Sequence, residues 1–128
     1  MAETITRKLV TIQKRNCLNE VFAVGPVDPA GARSKYHVMR PDGATNTGEF
    51  IAEIQFQQGP RNDPAAFKGV TDTDLLEMVR DRLQAFQDGA YSCRENGQAL
   101  DHIEAALLYL NKRTEDRADR GVLGTQQA

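Results

Sequence analysis

The sequence has no tryptophan and only eight aromatic residues, five Phe and three Tyr, in 128, so large rings cannot dominate its core. Two cysteines, Cys17 and Cys93, are too few for a disulfide framework or a zinc site. His37 and His102 stand alone, without metal-ligand spacing, so no metal and no cofactor are expected. No apolar run approaches the length of a membrane span, and the N-terminus carries no apolar block of a signal peptide. A cytoplasmic protein with reduced thiols and no membrane partner is expected. Charge of one sign is also lacking. With 18 acidic against 16 basic side chains the net charge is -2, which argues against a general DNA or RNA binder and makes any anion site local. The length predicts one domain, residues 1–128.

What is present changes character near residue 70. Before it, "RKLVTIQ", "EVFAV", "SKYHVMR" and "EFIAEIQF" are short runs rich in β-branched and aromatic residues, separated by turn signals in "GPVDPAGARS" and "RPDGATNTG". In the last run Phe50, Ala52, Ile54 and Phe56 are expected on one face, with Ile51, Glu53, Gln55 and Gln57 on the other. After residue 70, "TDTDLLEMVRDRLQAFQDG" predicts a helix with a capping box in Thr71 and Asp74. Its apolar stripe is Leu75, Leu76, Val79, Leu83 and Phe86, and Gly89 stops it. "SCRENGQALDHIEAALLYLNKRTEDRADRG" predicts a second, with Ser92 as N-cap, Glu95 at the third helical position and Gly121 as the stop. A link of about four residues favours an antiparallel pair. The expected class is α+β: a small antiparallel sheet over about 5–60, then a two-helix hairpin over about 72–120 that mediates oligomerisation.

The second helix carries the question of function. Its stripe of Leu100, Ile103, Leu107 and Leu110 continues on the same face into Asn96 at one end and into Thr114 and Arg117 at the other. Asp116 can pair with Arg113 or Arg120, whereas no acid lies three or four residues from Arg117 within the helix. Two neighbouring guanidiniums suit a diphosphate; they also suit a plain helix C-terminus, where cations complement the dipole. At the other end Phe86 and Asn96 flank the interhelical turn, with Arg94 in the first turn of the second helix. An aromatic beside an amide can hold a nucleotide base. Equally, Phe86 can cap the core and Asn96 can satisfy a backbone carbonyl. Cys93, with no nearby His, reads as packing and not as a nucleophile.

Asn96 and Arg113 are 17 residues apart, or roughly 25 Å along a helix. One chain cannot bring both to one small ligand. Two second helices packed antiparallel about a two-fold axis can, which predicts two equivalent pockets per dimer.

"IQFQQGP", "GVTDTDLL", "CREN" and "LNKRTEDRADRGVLGT", in this order and spacing, resemble the phage Thoeris anti-defence 1 family, from about Gly48 to Thr125. The resemblance implies a sponge that binds glycocyclic ADP-ribose signals made by bacterial TIR-domain enzymes and holds them uncleaved in the host cytoplasm. Some members also hold cyclic di- or trinucleotides, the signals of cGAS-like defence enzymes (CBASS), in a second site. It further implies a small sheet with helices, assembled as dimers or as hexamers built from them. Carried over by position, Phe86 would stack on adenine, Asn96 would hydrogen-bond the ligand, and Arg113 and Arg117 would hold phosphates. Arg94 shares the motif, and Arg61 matches a basic position of the oligonucleotide site. Tyr109 stands where the family often has Trp, and Leu123 interrupts a tail that is often acidic.

Three readings follow. The first is a signalling-nucleotide sponge. The second is an oligomeric phage adaptor or structural protein without a nucleotide ligand, in which Arg113 and Arg117 bind carboxylates of a partner. The third is an enzyme that cleaves the signal. No paired carboxylates, metal ligands or activated nucleophile stand at recognisable spacing, so catalysis is not expected.

Overall fold

The computed structural model of the chain describes residues 6–13, 18–28, 31–41, 48–60 and 62–124. The chain divides into two compact units, Met1–Gln58 and Gly59–Ala128. Among the described residues the first holds four strands, β1 (Thr6–Lys8), β2 (Glu20–Val27), β3 (Arg33–Arg40) and β4 (Glu49–Gln55), and the second two helices, α1 (Asp72–Gln87) and α2 (Arg94–Asp119). The fold is α+β, as the change of pattern near residue 70 predicts.

The strands form one antiparallel sheet in the order β1-β2-β3-β4. One face gathers Ala23, which is wholly buried, with Tyr36 paired opposite Ile54 and Val38 opposite Ala52. Tyr36 meets Phe56 edge-on at 5.6 Å on the same side.

Three local expectations change. The first run stops pairing early: Lys8 lies opposite Phe22, and the last ladder bond joins the Leu9 N–H to the Val21 carbonyl at 2.9 Å. Beyond it β2 ends at Glu20, so among the described residues the chain meets no partner strand, and Val10 and Ile12 lie almost fully exposed. The loop expected from Gly25 instead begins at Asp28. Gly25 takes φ +85° at a bulge between Val24 and Val27, and Pro26, which has no N–H to give, sits inside it. In β4 the register shifts so that Val38 faces Ala52 but Met39 faces Phe50, leaving Ile51 as the extra residue. Phe50 is thereby turned away from Ala52 and Ile54 to the other face. There it meets His37 edge-on at 5.3 Å, beside a 2.8 Å contact between His37 Nε2 and Glu53 Oε2. Most of the Pro-Asp-Gly turn (42–47), and Cys17, lie outside the described residues.

In the second unit the Thr71–Asp74 capping box forms as expected: Thr71 Oγ1 accepts from the Asp74 N–H, and Asp74 Oδ2 accepts from the Thr71 N–H at 2.8 Å. Arg80 of α1 bonds Glu104 of α2 through Nε at 2.8 Å, with Glu77 also in reach. The hydrogen bond and the attraction from Glu104 hold the Arg80 guanidinium above its ordinary pKa, and the pair marks the antiparallel register. The α1 stripe is only half covered. Leu75, Leu76, Leu83 and Phe86 are half-buried, Val79 is exposed, and no residue of α1 is fully buried. Met78 is 56% exposed, Leu108 72% and Tyr109 74%. A two-helix hairpin in that condition leaves apolar surface to be covered by something else.

α2 ends in a Schellman turn. The Gly121 N–H bonds the Ala118 carbonyl at 3.0 Å and the Val122 N–H bonds the Arg117 carbonyl at 3.0 Å, with Gly121 at φ +73°. Val122 is then buried, and the Leu123 and Gly124 carbonyls accept from Asn62, which gives the "GVLG" tail a structural role. A Cβ on Gly121 would meet no atom, so Gly121→Ala isolates the backbone term. It is expected to cost about 1–2 kcal/mol, read as a lower thermal unfolding midpoint, with Gly121→Asn losing less.

Candidate functional site

The interhelical turn is tied by side chains that sequence spacing does not reveal. Cys93, not Ser92, is the N-cap of α2: it is extended, at φ -156° and ψ 163°, and its Sγ accepts from the Asn96 N–H at 3.4 Å. The cause lies in the other helix. Gln87 Oε1 accepts the Cys93 N–H at 3.0 Å, while the Ser92 N–H is spent on the Gly89 carbonyl. Glu95 therefore falls at the second helical position, the Ser92 capping box does not form, and the link spans residues 88 to 93.

Asn96 is half-buried, and its Nδ2 donates to the Tyr91 carbonyl at 3.2 Å. That bond fixes the orientation of the amide and leaves Oδ1 and one N–H for another partner. Phe86 is half-buried too, and the Arg82 guanidinium lies 5.3 Å from its ring centroid. Arg82 is a residue the sequence reading missed, although its spacing of four from Phe86 on one helix would have found it. Arg94 is exposed in the first turn of α2.

The other two site residues lie at the far end. α2 has 26 residues and α1 has 16, so the C-terminal turns of α2 extend past the hairpin. There Tyr109, Lys112, Arg113, Asp116, Arg117, Asp119 and Arg120 line an open hollow of about 640 Å³. Four of these side chains are basic and two acidic, so the hollow is positive on a chain that is negative overall. Asp116 pairs with Lys112 at 3.3 Å, a partner the spacing argument did not consider. Arg113 is exposed and, among the described residues, has no hydrogen-bond or ion-pair partner. Arg117 differs: it is 9% exposed, and its Nη2 donates to the Val122 carbonyl at 3.0 Å. It stabilises the C-terminal turn while still lining the hollow.

The structure thus brings Arg113 and Arg117 together, and sets Phe86, Asn96 and Arg94 at the turn, at the opposite end of α2. Arg61 lies outside the described residues. Among the described residues no group of His, Cys, Asp and Glu could hold a metal ion, and no helix is long and apolar enough to cross a membrane.

The hairpin lies largely within a region that a known family shares. The family model of the Acb2/Tad1 hairpin domain matches residues 51–115, just over half of the sequence. The chain belongs to the Acb2/Tad1 hairpin family. Thoeris anti-defense 1 of Bacillus phage SBSphiJ7 is 47% identical over 77 residues, covering 60% of this chain and 54% of that protein. The chain thus spans about half the length of this curated relative. The Acb2/Tad1 match begins in β4, takes in the interhelical turn with Phe86, Arg94 and Asn96, and ends between Arg113 and Arg117. The three strands β1 to β3 lie outside it.

Proposed function

We propose that the chain counters bacterial defence by sequestration: it binds a cyclic nucleotide signal of the glycocyclic ADP-ribose class and holds it without cleaving it, blocking Thoeris signalling in the host cytoplasm. The observation that carries this reading is the positive hollow at the end of α2, where Arg113 stands beside Arg117 without a partner among the described residues. A planar guanidinium so placed suits a diphosphate. Membership of the Acb2/Tad1 family and the name of the curated phage relative support it.

The base would be held at the other end of the helix. Asn96 keeps an acceptor and a donor side by side, the pair that reads the N6 and N7 edge of adenine, and Phe86 offers a ring for stacking. Because the two ends are far apart on one chain, the site is completed by a second copy, its α2 antiparallel to the first. The exposed Met78, Leu108 and Tyr109 supply apolar surface for such a dimer, or for a hexamer built from dimers. Cyclic di- or trinucleotides, the signals of CBASS defence, would occupy a separate site that includes Arg61.

Thermal unfolding with glycocyclic ADP-ribose isomers, plain ADP-ribose and cyclic di- and trinucleotides tests the proposal. Ligand at about 100 times its Kd adds roughly 2.7 kcal/mol per site, a midpoint shift of several degrees. One cyclic signal is expected to give that shift, plain ADP-ribose none, and the bound molecule should be recovered intact after heating. Asn96→Ala should weaken binding by about 10- to 100-fold with the native mass of the oligomer unchanged. An altered nucleotide after heating would make the protein an enzyme. No shift with any nucleotide would favour the oligomeric adaptor.

A further inference from the structure

Gln87 does more than end α1. Its Oε1 accepts the Cys93 N–H at 3.0 Å, and its Nε2 lies 3.0 Å from where a Cβ on Gly97 would stand. The side chain is therefore a strap from the last residue of α1 to the first turns of α2, and it lies as close to α2 as it does because residue 97 is glycine. Each end of the strap is the covalent neighbour of one proposed base contact: Gln87 follows Phe86, and Gly97 follows Asn96. The strapped Cys93 in turn receives the Asn96 N–H on Sγ. Resting on the function proposed above, we propose that Gln87 and Gly97 are positioning residues, which hold Phe86 and Asn96 at a fixed separation so that the turn meets an adenine base already ordered.

Glycine at this place runs against local preference, because a helix position is better filled by alanine. An alanine Cβ at 3.0 Å would push the Gln87 amide aside. That movement, a few tenths of an ångström, is easy for the end of a flexible side chain, but it strains the bond to Cys93. Structure and binding should then move in opposite directions. Gly97→Ala is expected to leave the thermal midpoint of the ligand-free protein equal or higher, while affinity for glycocyclic ADP-ribose falls about tenfold. Gln87→Ala should lower affinity by a similar factor and speed hydrogen exchange at the Cys93 amide. Gln87→Glu, which keeps an acceptor oxygen, should restore both most of the way. All variants should keep the wild-type oligomer mass.

A Gly97→Ala protein that is stabilised and binds as tightly as wild type overturns the positioning role. So does a Gln87→Ala protein whose Cys93 amide stays protected. If wild type binds none of the nucleotides, the site itself is lost and the positioning role with it. If wild type binds and both variants bind equally, the site stands and only the strap is wrong.

Discussion

Arg113→Glu is expected to destroy nucleotide capture and leave the free protein as stable as wild type. Arg113 is exposed and makes no bond among the described residues, so the fold loses nothing when it goes; such surface changes stay within about 0.5 kcal/mol. The new carboxylate stands four residues before Arg117, a favourable helical pairing. The hollow, in contrast, changes from four bases and two acids to three of each. A diphosphate there meets a like charge where it had a bidentate donor, and such juxtapositions cost several kcal/mol, on the order of 1,000-fold in Kd. Isothermal titration with glycocyclic ADP-ribose reads this directly. Arg113→Lys keeps the charge and loses the fork, so its deficit should be smaller. If Arg113→Glu binds like wild type, the hollow does not hold the phosphates.

Arg117→Ala should behave differently, because Arg117 belongs to the fold as well as to the hollow. Its buried guanidinium donates to the Val122 carbonyl, and Val122 is itself buried against the end of the helix. Truncation removes a charge-assisted hydrogen bond and the packing of a buried stem. A loss of about 2–3 kcal/mol is expected, seen as a midpoint roughly 10 °C lower before any ligand is added. Binding should fall too, through the lost cation. Arg117→Lys should recover part of the stability. An Arg117→Ala protein with an unchanged midpoint would mean that the guanidinium does not secure the turn, and would make Arg117 a ligand residue alone.

The contrast between these two arginines shows where sequence reasoning reached its end. Both were legible as candidates, since Arg117 has no acid one turn away along the helix. Spacing within a helix, however, reports only helical neighbours. The acceptor for Arg117 comes from Val122, after the chain has reversed at Gly121. Likewise Ser92 with Glu95 looks like a sound cap, and nothing nearby in sequence warns that Gln87 takes the Cys93 amide and starts the helix one residue later. The bulge at Ile51 is hidden for another reason. "EFIAEIQF" alternates equally well with or without an extra residue, so only pairing with β3 decides that Phe50 joins His37.

Features that depend on neighbours within one helical turn follow from local sequence alone. The Thr71–Asp74 box, the stop at Gly121, the order of sheet then hairpin, and the family motif all rest on contacts between residues close along the chain, and all stand. Tertiary structure decided which candidates are already engaged. It bonded Arg117 and the Asn96 amide to carbonyls, gave the Cys93 amide to Gln87, and left Arg113 without a partner among the described residues. Those outcomes turn on where the backbone goes after a helix ends and on which side chain reaches an amide first, and neither is written in local periodicity.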